Sequence, residues 1–273
     1  MKIEKVHAVY FSPTGTTKTV ITHLVKCITT LLPEVVTEVK DFTLPSGRKI
    51  APDIRESELA IVGLPVYAGR LPNLLLNYLT TWQSNGAWAV PVVVYGNRSY
   101  GNALVELYDI LRYRGFHPIA AAAFVGQHSF TTRLATGRPD REDLEKAEQF
   151  SAEIVRRILQ PGEFTGIKIP GQGAPDYGGY YKPKGRDEEV VNFLKAKPVT
   201  TDACIDCRRC AKVCPMGAIR LDHPSEVSGI CIKCNACVKQ CPVHAKQLTD
   251  EAYLSHVGFL ENRYTSRARI ELF

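Results

Sequence analysis

The sequence CIDCRRCAKVCP at residues 204–215 recurs as CIKCNACVKQCP at residues 231–242. Both copies have the spacing C-x2-C-x2-C-x3-C-P, in which a short loop brings three thiolates to one cubane cluster while the fourth cysteine reaches the other cluster. Two [4Fe–4S] clusters are therefore predicted. The first ligand set is Cys204, Cys207, Cys210 and Cys241, and the second is Cys231, Cys234, Cys237 and Cys214.

The alternatives for these eight cysteines fit poorly. Zinc sites more often contain two separated CxxC pairs, and disulfide frameworks are typical of small exported domains. An all-cysteine shell leaves no open position for a substrate, which favours electron transfer over catalysis at both clusters. The ninth cysteine, Cys27, lies beside the apolar stripe of the first predicted helix and is interpreted as a packing residue.

Composition limits the class of protein. The chain has 273 residues, 45% of them apolar and 23% charged, which is enough for one large and one small domain. We expect a cytoplasmic protein, because no apolar run approaches the roughly 18 residues needed to cross a bilayer and the sequence has no export signal at residue 1. The net charge of +6 is not gathered into a basic stripe, which argues against nucleic-acid binding.

The sequence predicts that the chain has four parts. Residues 1–160 alternate strand-like and helix-like patterns, which indicates a five-stranded, doubly wound parallel α/β sheet with strands near 6–11, 35–39, 59–64, 91–95 and 119–125. Residues 161–198 are rich in Gly and Pro and form a predicted connector. Residues 199–249 form a small α+β cysteine domain, and residues 250–273 are an apolar tail expected to pack between the domains.

The loop after the first predicted strand suits a phosphate group. Its candidate binding residues are Ser12, Thr14, Gly15, Thr16 and Thr17. Hydroxyls and free backbone N–H groups at a helix N-terminus can cradle an anion, and a glycine allows close approach of the backbone. The alternative is an ordinary helix N-cap. The position at the end of the first strand of an α/β sheet favours the phosphate, because ligands bind there.

The S-x-T-G-x-T pattern of this loop resembles the flavodoxins, and the strand–helix order of residues 1–160 fits that family. The resemblance implies FMN, with its phosphate on this loop and its isoalloxazine ring between two later loops. The residues that correspond to those loops are Pro65, Val66, Tyr67, Ala68 and Gly69, then Tyr95, Gly96, Asn97, Tyr100, Gly101 and Asn102. Core packing is the alternative for each tyrosine. Arg70 or Arg98 near the ring would favour its anionic reduced form, and His128 is expected to form hydrogen bonds rather than donate protons.

Residues 199–249 resemble the bacterial two-[4Fe–4S] ferredoxins, although basic residues lie among or beside the ligands, at 208, 209, 212, 233, 239 and 246. These charges indicate either an acidic partner or a solvated face. The whole chain resembles flavodoxin–ferredoxin fusions, found chiefly in anaerobes. That resemblance implies an electron carrier between a low-potential donor, such as a ferredoxin, and an acceptor protein. The alternative is an FMN-dependent reductase of a small organic substrate, supplied through its own ferredoxin domain. No catalytic residue is predicted.

Overall fold

The computed structural model describes residues 3–160, 162, 166–174 and 176–273. Up to residue 160 the chain forms a sheet with helices on both faces. Its strands are β1 (Lys5–Tyr10), β2 (Val36–Asp41), β3 (Glu58–Pro65), β4 (Trp88–Tyr95), β5 (His117–Pro118) and β6 (Ala122–Val125). Its helices are α1 (Thr16–Leu31), α2 (Asn73–Leu79), α3 (Ala103–Tyr113) and α4 (Arg141–Leu159), with a 3-10 turn at Pro45–Arg48.

The strands lie in the order β2-β1-β3-β4-β6, and all of these neighbours are parallel. β5 also pairs with β4 in parallel, so β5 and β6 together occupy the place of a fifth strand. The order is therefore 2-1-3-4-5, which is the flavodoxin-like doubly wound order. The predicted α/β fold class is confirmed. The fifth strand, predicted as continuous over residues 119–125, is interrupted between residue 118 and residue 122.

Helices cover both faces of this sheet, which explains why β3 and β4 are apolar apart from Glu58 at the start of β3. Every residue of β3 except Pro65 is buried. One hydrophobic core contains Leu75 of α2 and Leu107 of α3, and the other contains Leu24 of α1 and Ile154 of α4. Parallel strands buried on both faces carry continuous apolar runs rather than an alternating pattern.

The cysteine half repeats its backbone conformation as well as its sequence. Strands β7 (Val199–Thr200) and β8 (Lys246–Gln247) pair antiparallel, and each cysteine run leads into a short helix, α5 (Arg209–Lys212) or α6 (Ala236–Lys239). Arg208 before α5 and Asn235 before α6 have φ of 60° and 61°. These residues are 27 positions apart, like the two motifs. The duplicated sequence therefore folds into two copies of one loop-and-turn unit.

The last residues of the chain return to the first domain. Helix α7 (Glu251–Arg263) contacts Leu134 of the first domain through Phe259 and Leu260. Strand β9 (Glu271–Leu272) then pairs antiparallel with β6. The predicted start of the connector falls at residues 161 and 163–165, and these, with residue 175, lie outside the described residues. None of the helices in the described ranges combines the length and apolar character needed to cross a bilayer.

Candidate cofactor sites

The eight clustered cysteines surround two cavities that open toward solvent. One cavity, with about 360 Å³ of empty space that includes open solvent, is lined by Cys214, Cys231, Cys234 and Cys237. A second, with about 320 Å³ counted in the same way, is lined by Cys204, Cys207, Cys210 and Cys241. The structure thus brings together the same four cysteines that the spacing groups, including the exchange of the fourth ligand. We call these the buried quartet and the exposed quartet, because Cys234 and Cys237 are buried whereas Cys204 and Cys207 are exposed.

The distances between these sulfurs favour a polynuclear cluster. All nine cysteines are free thiols. In the described part of the chain, no three of the eight clustered sulfurs lie within 4.8 Å of one another. A single tetrahedral zinc ion with Zn–S bonds of about 2.3 Å would hold its sulfurs roughly 3.8 Å apart. The wider arrangement leaves room for a cubane between the four thiols, so the residues fit the iron–sulfur group that the spacing predicts.

Backbone N–H groups and burial set the chemistry of these thiols. The N–H groups of Ala218 and Ala245 donate to the sulfurs of Cys214 and Cys241, both over 3.2 Å. Burial raises the pKa of the Cys237 thiol to about 12, with smaller contributions from neighbouring cysteines. Four neighbouring thiols, two of them buried, could ionise together only beside a strong positive charge, such as cluster iron. Hydrogen bonds to the sulfurs also influence the reduction potential of a bound cluster.

The candidate phosphate loop forms the N-terminus of α1. Gly15 caps the helix with φ of 91°, no acidic residue lies in the first turn, and a Cβ added at Gly15 would meet open space. The Ser12 hydroxyl accepts the Lys18 N–H at 2.9 Å. Thr17 is buried, and its methyl group packs near Gly63. The loop therefore offers an open helix N-terminus to an anion, with the side chain of Thr17 directed toward the core.

The loop after β3 is a tight turn at the same edge of the sheet. Tyr67 and Arg70 exchange two backbone hydrogen bonds across it, and Ala68 and Gly69 have positive φ. The Arg70 guanidinium binds the Glu106 carboxylate through two hydrogen bonds of 2.9 and 2.7 Å. Because this ion pair engages the charge of Arg70, the arginine anchors the loop.

The loop after β4 is held by the end of the chain. The Asn97 amide donates to the carbonyls of Tyr264 and Ser266 and accepts the Ala268 N–H. The Tyr95 hydroxyl donates to the Arg269 carbonyl, and the Tyr100 hydroxyl donates to the Glu271 carboxylate. The next two candidate residues, Gly101 and Asn102, contact Gly69 of the preceding loop. The side chains of four candidate ring contacts therefore form hydrogen bonds with other parts of the protein. They are Tyr95, Asn97, Tyr100 and Asn102.

Three further polar residues, Arg98, Tyr181 and His128, lie beside these loops. The Arg98 guanidinium lies 3.9 Å from the centre of the Tyr181 ring, and the Tyr181 N–H donates to the Ala68 carbonyl. The Tyr181 hydroxyl is buried and has no hydrogen-bond partner among the described residues. Burial lowers the pKa of His128 to about 3, so its ring is neutral and accepts the Phe130 N–H. The Gly- and Pro-rich sequence around Tyr181 contains no pattern that predicts a site there.

Comparison with known proteins identifies the cysteine half. Residues 203–245 match the family model described as a 4Fe-4S dicluster domain. The chain joins a flavodoxin-like domain to a ferredoxin-type dicluster domain. The dicluster domain and the flavodoxin-like fold together support an electron-transfer or flavin-dependent redox role, with iron–sulfur cofactors and redox-protein partners.

Solved structures share the first domain only distantly. A flavodoxin from the domain Archaea is 16% identical and covers 57% of this chain and 99% of its own, with a TM-score of 0.40. The Streptococcus pneumonia TIGR4 flavodoxin is 19% identical and covers 56% and 99%, with a TM-score of 0.40. An azoreductase from Bacillus anthracis str. Sterne is 11% identical and covers 57% and 100%, with a TM-score of 0.37. No curated protein sequence matches the chain.

The dicluster domain contacts the flavodoxin-like domain through residues beside its buried quartet. Ile232, next to Cys231, packs against the first core, and the Asn235 amide donates to the Ser129 carbonyl at 3.2 Å. The Lys239 ammonium donates to the His128 carbonyl at 3.0 Å. Burial raises the pKa of Tyr67 well above its usual value, and the thiols of Cys234 and Cys231 raise it further. The loop after β3 therefore lies next to the buried quartet.

Proposed function

We propose that the chain is an electron carrier in which one FMN and two [4Fe–4S] clusters exchange electrons with partner redox proteins. The observation that carries this proposal is the contact between the dicluster domain and the loop after β6. The Asn235 amide donates to the Ser129 carbonyl at 3.2 Å and the Lys239 ammonium donates to the His128 carbonyl at 3.0 Å, at the edge of the sheet where α/β folds bind ligands. The two kinds of cofactor would thus lie on either side of this contact.

Different residues would bind the FMN phosphate, the FMN ring and the two clusters. The open N-terminus of α1, with Ser12, Thr14, Gly15 and Thr16, would bind the FMN phosphate, and Pro65–Gly69 would border the ring. The two quartets would each ligate one cluster. When bound, the clusters supply one-electron steps and the flavin stores two electrons. Arg98, half-buried against Tyr181, provides positive charge near Gly69, which favours negative charge on a ring bound there.

The exposed quartet supplies the surface for a partner. Cys204 and Cys207 are exposed, and so are Arg208 and Arg209 between the ligands. Arg208 lies 3.6 Å from the Asp206 carboxylate, so its charge is partly compensated within its own loop. The remaining basic charge complements an acidic protein surface, which would increase the association rate at low ionic strength.

The first test is cofactor content, measured on anaerobically purified protein. We expect about eight iron and eight sulfide per chain together with one FMN. Cys234→Ser should lower the iron content to about half, whereas Ser228→Ala, at an exposed position between the cysteine repeats, should leave it unchanged. Protein without flavin, or with an unchanged iron content in Cys234→Ser, would contradict the assignment of the sites.

The second test is electron transfer from a small reduced ferredoxin, followed by flavin absorbance. Flavin reduction should be fast in the Ser228→Ala protein and slow in Cys234→Ser, while dithionite, which needs no docking surface, should reduce the flavin in both. Equal rates with ferredoxin would contradict a route through the buried quartet. Turnover of a small organic acceptor without electron transfer to any protein would instead support the FMN-dependent reductase.

A further inference from the structure

A histidine, a cysteine and a glutamate meet between α1 and α4, separate from both quartets. His23 and Cys27 are four residues apart on α1 and therefore share one face of that helix. Glu148 reaches this face from α4. One ligand atom of each side chain lies within 4.8 Å of the other two, and no other His, Cys, Asp or Glu in the described ranges belongs to such a group of three.

The histidine nitrogen in this group is shielded from water and makes no hydrogen bond. Nε2 of His23 is buried and has no hydrogen-bond partner among the described residues. The nearest carboxylate oxygen, on Glu148, is 3.6 Å away, which is too far for a hydrogen bond. A buried nitrogen without a hydrogen bond is unfavourable, and a metal ion between the three side chains would satisfy it.

The three donors match the preferences of one metal. Imidazole, thiolate and carboxylate all ligate Zn²⁺, and three protein ligands leave a fourth position for water. The Cys27 thiol is uncharged without metal, because burial, followed by the charge of Glu148, raises its pKa. When Zn²⁺ binds, the thiol proton leaves to solvent and no electron is transferred. The thiolate and the Glu148 carboxylate then balance the two charges of the ion.

We propose that His23, Cys27 and Glu148 form a Zn²⁺ site that links α1 to α4 on the outside of the flavodoxin-like domain. Magnesium and calcium prefer all-oxygen shells, so the nitrogen and sulfur donors select against them. The side chains of His23 and Glu148 are 22% and 59% exposed, which gives an ion a path from solvent.

The test uses the anaerobically purified protein with its clusters intact, checked by its iron content. Zn²⁺ is added, and its affinity is measured by competition with a chromophoric chelator. We expect one tight site in the wild type, weakened about tenfold or more in His23→Gln, Cys27→Ser and Glu148→Gln. The control is Glu145→Gln, which changes an exposed glutamate on α4, the helix of Glu148. This variant should bind Zn²⁺ like the wild type.

X-ray absorption at the zinc edge of the wild-type protein tests the same site without any substitution. One sulfur at about 2.3 Å and lighter atoms at about 2.0–2.1 Å are expected. Four sulfurs around zinc would place the ion in a quartet and overturn the proposal. Absence of zinc binding, or equal affinity in the wild type and all three ligand variants, would overturn it as well.

Discussion

The closest approach between the two loops of the candidate flavin site occurs at Gly101. A Cβ added there would lie 2.5 Å from the Gly69 carbonyl oxygen and 2.9 Å from its Cα, and the φ of Gly101 is +54°. In Gly101→Ala the left-handed backbone would cost about 1–2 kcal/mol, and overpacking against rigid backbone about 1–3 kcal/mol more. We therefore expect the free energy of unfolding to fall by about 2–5 kcal/mol.

Gly137→Ala is the matched control. Gly137 has φ of +73°, but a Cβ there would meet nothing within 4 Å, so only the backbone cost of about 1–2 kcal/mol applies. Urea unfolding can be followed by tryptophan fluorescence, because Trp82 and Trp88 are the two tryptophans of the chain and both lie in the flavodoxin-like domain. Gly101→Ala should also release flavin more readily. Equal destabilisation by the two substitutions would refute the contact between the loops.

Three further predictions concern side chains around the same loops. Arg70→Ala should lower the free energy of unfolding by about 3–5 kcal/mol in the same assay, because it leaves the buried Glu106 carboxylate without its cation; a loss under about 1 kcal/mol would contradict the ion pair. Because the pKa of His128 is lowered to about 3, the unfolded chain binds a proton below about pH 6.5 that the folded chain does not, and wild-type stability should fall as the pH drops from there, by up to about 1.4 kcal/mol per unit. His128→Gln should lack this pH-dependent loss of stability. Between pH 7 and pH 5 the wild type should therefore lose stability relative to the variant, and an equal loss in both proteins would contradict a neutral His128. Asn97→Ala removes three hydrogen bonds to residues 264–268, and mass spectrometry should detect faster tryptic cleavage after residues 267 and 269; unchanged cleavage would argue against this anchor.

The part of the structure that follows from local sequence could be predicted. The strands of the first domain are apolar segments separated by helical ones, and this periodicity is sufficient for the parallel α/β fold. The cysteine spacing groups the same residues that surround the two cavities, because a loop of two or three residues restricts where the next thiol can lie. Both are short-range features that a single sequence contains.

The surroundings of the flavin loops depend on distant residues and could not be predicted. Asn97 and Tyr100 were candidate ring contacts because glycine and tyrosine at a strand end suit a flat ligand, yet the same groups hold the end of the chain, over 160 residues away in sequence. Strand β9 has only two residues, too few for a periodic pattern. The ring contacts, the phosphate contacts and the cluster ligands stay predictions that cofactor-loaded protein must test.

Because of strand β9, the dicluster domain lies along the chain between two segments that belong to one sheet. The sheet of the flavodoxin-like domain receives its last strand from residues 271–272, after the whole dicluster domain. During synthesis, β6 therefore has an unpaired edge until the cysteine segment has emerged, and unpaired edges favour association with other chains. Acquisition of iron and completion of the sheet would thus fall in the same late interval of biogenesis.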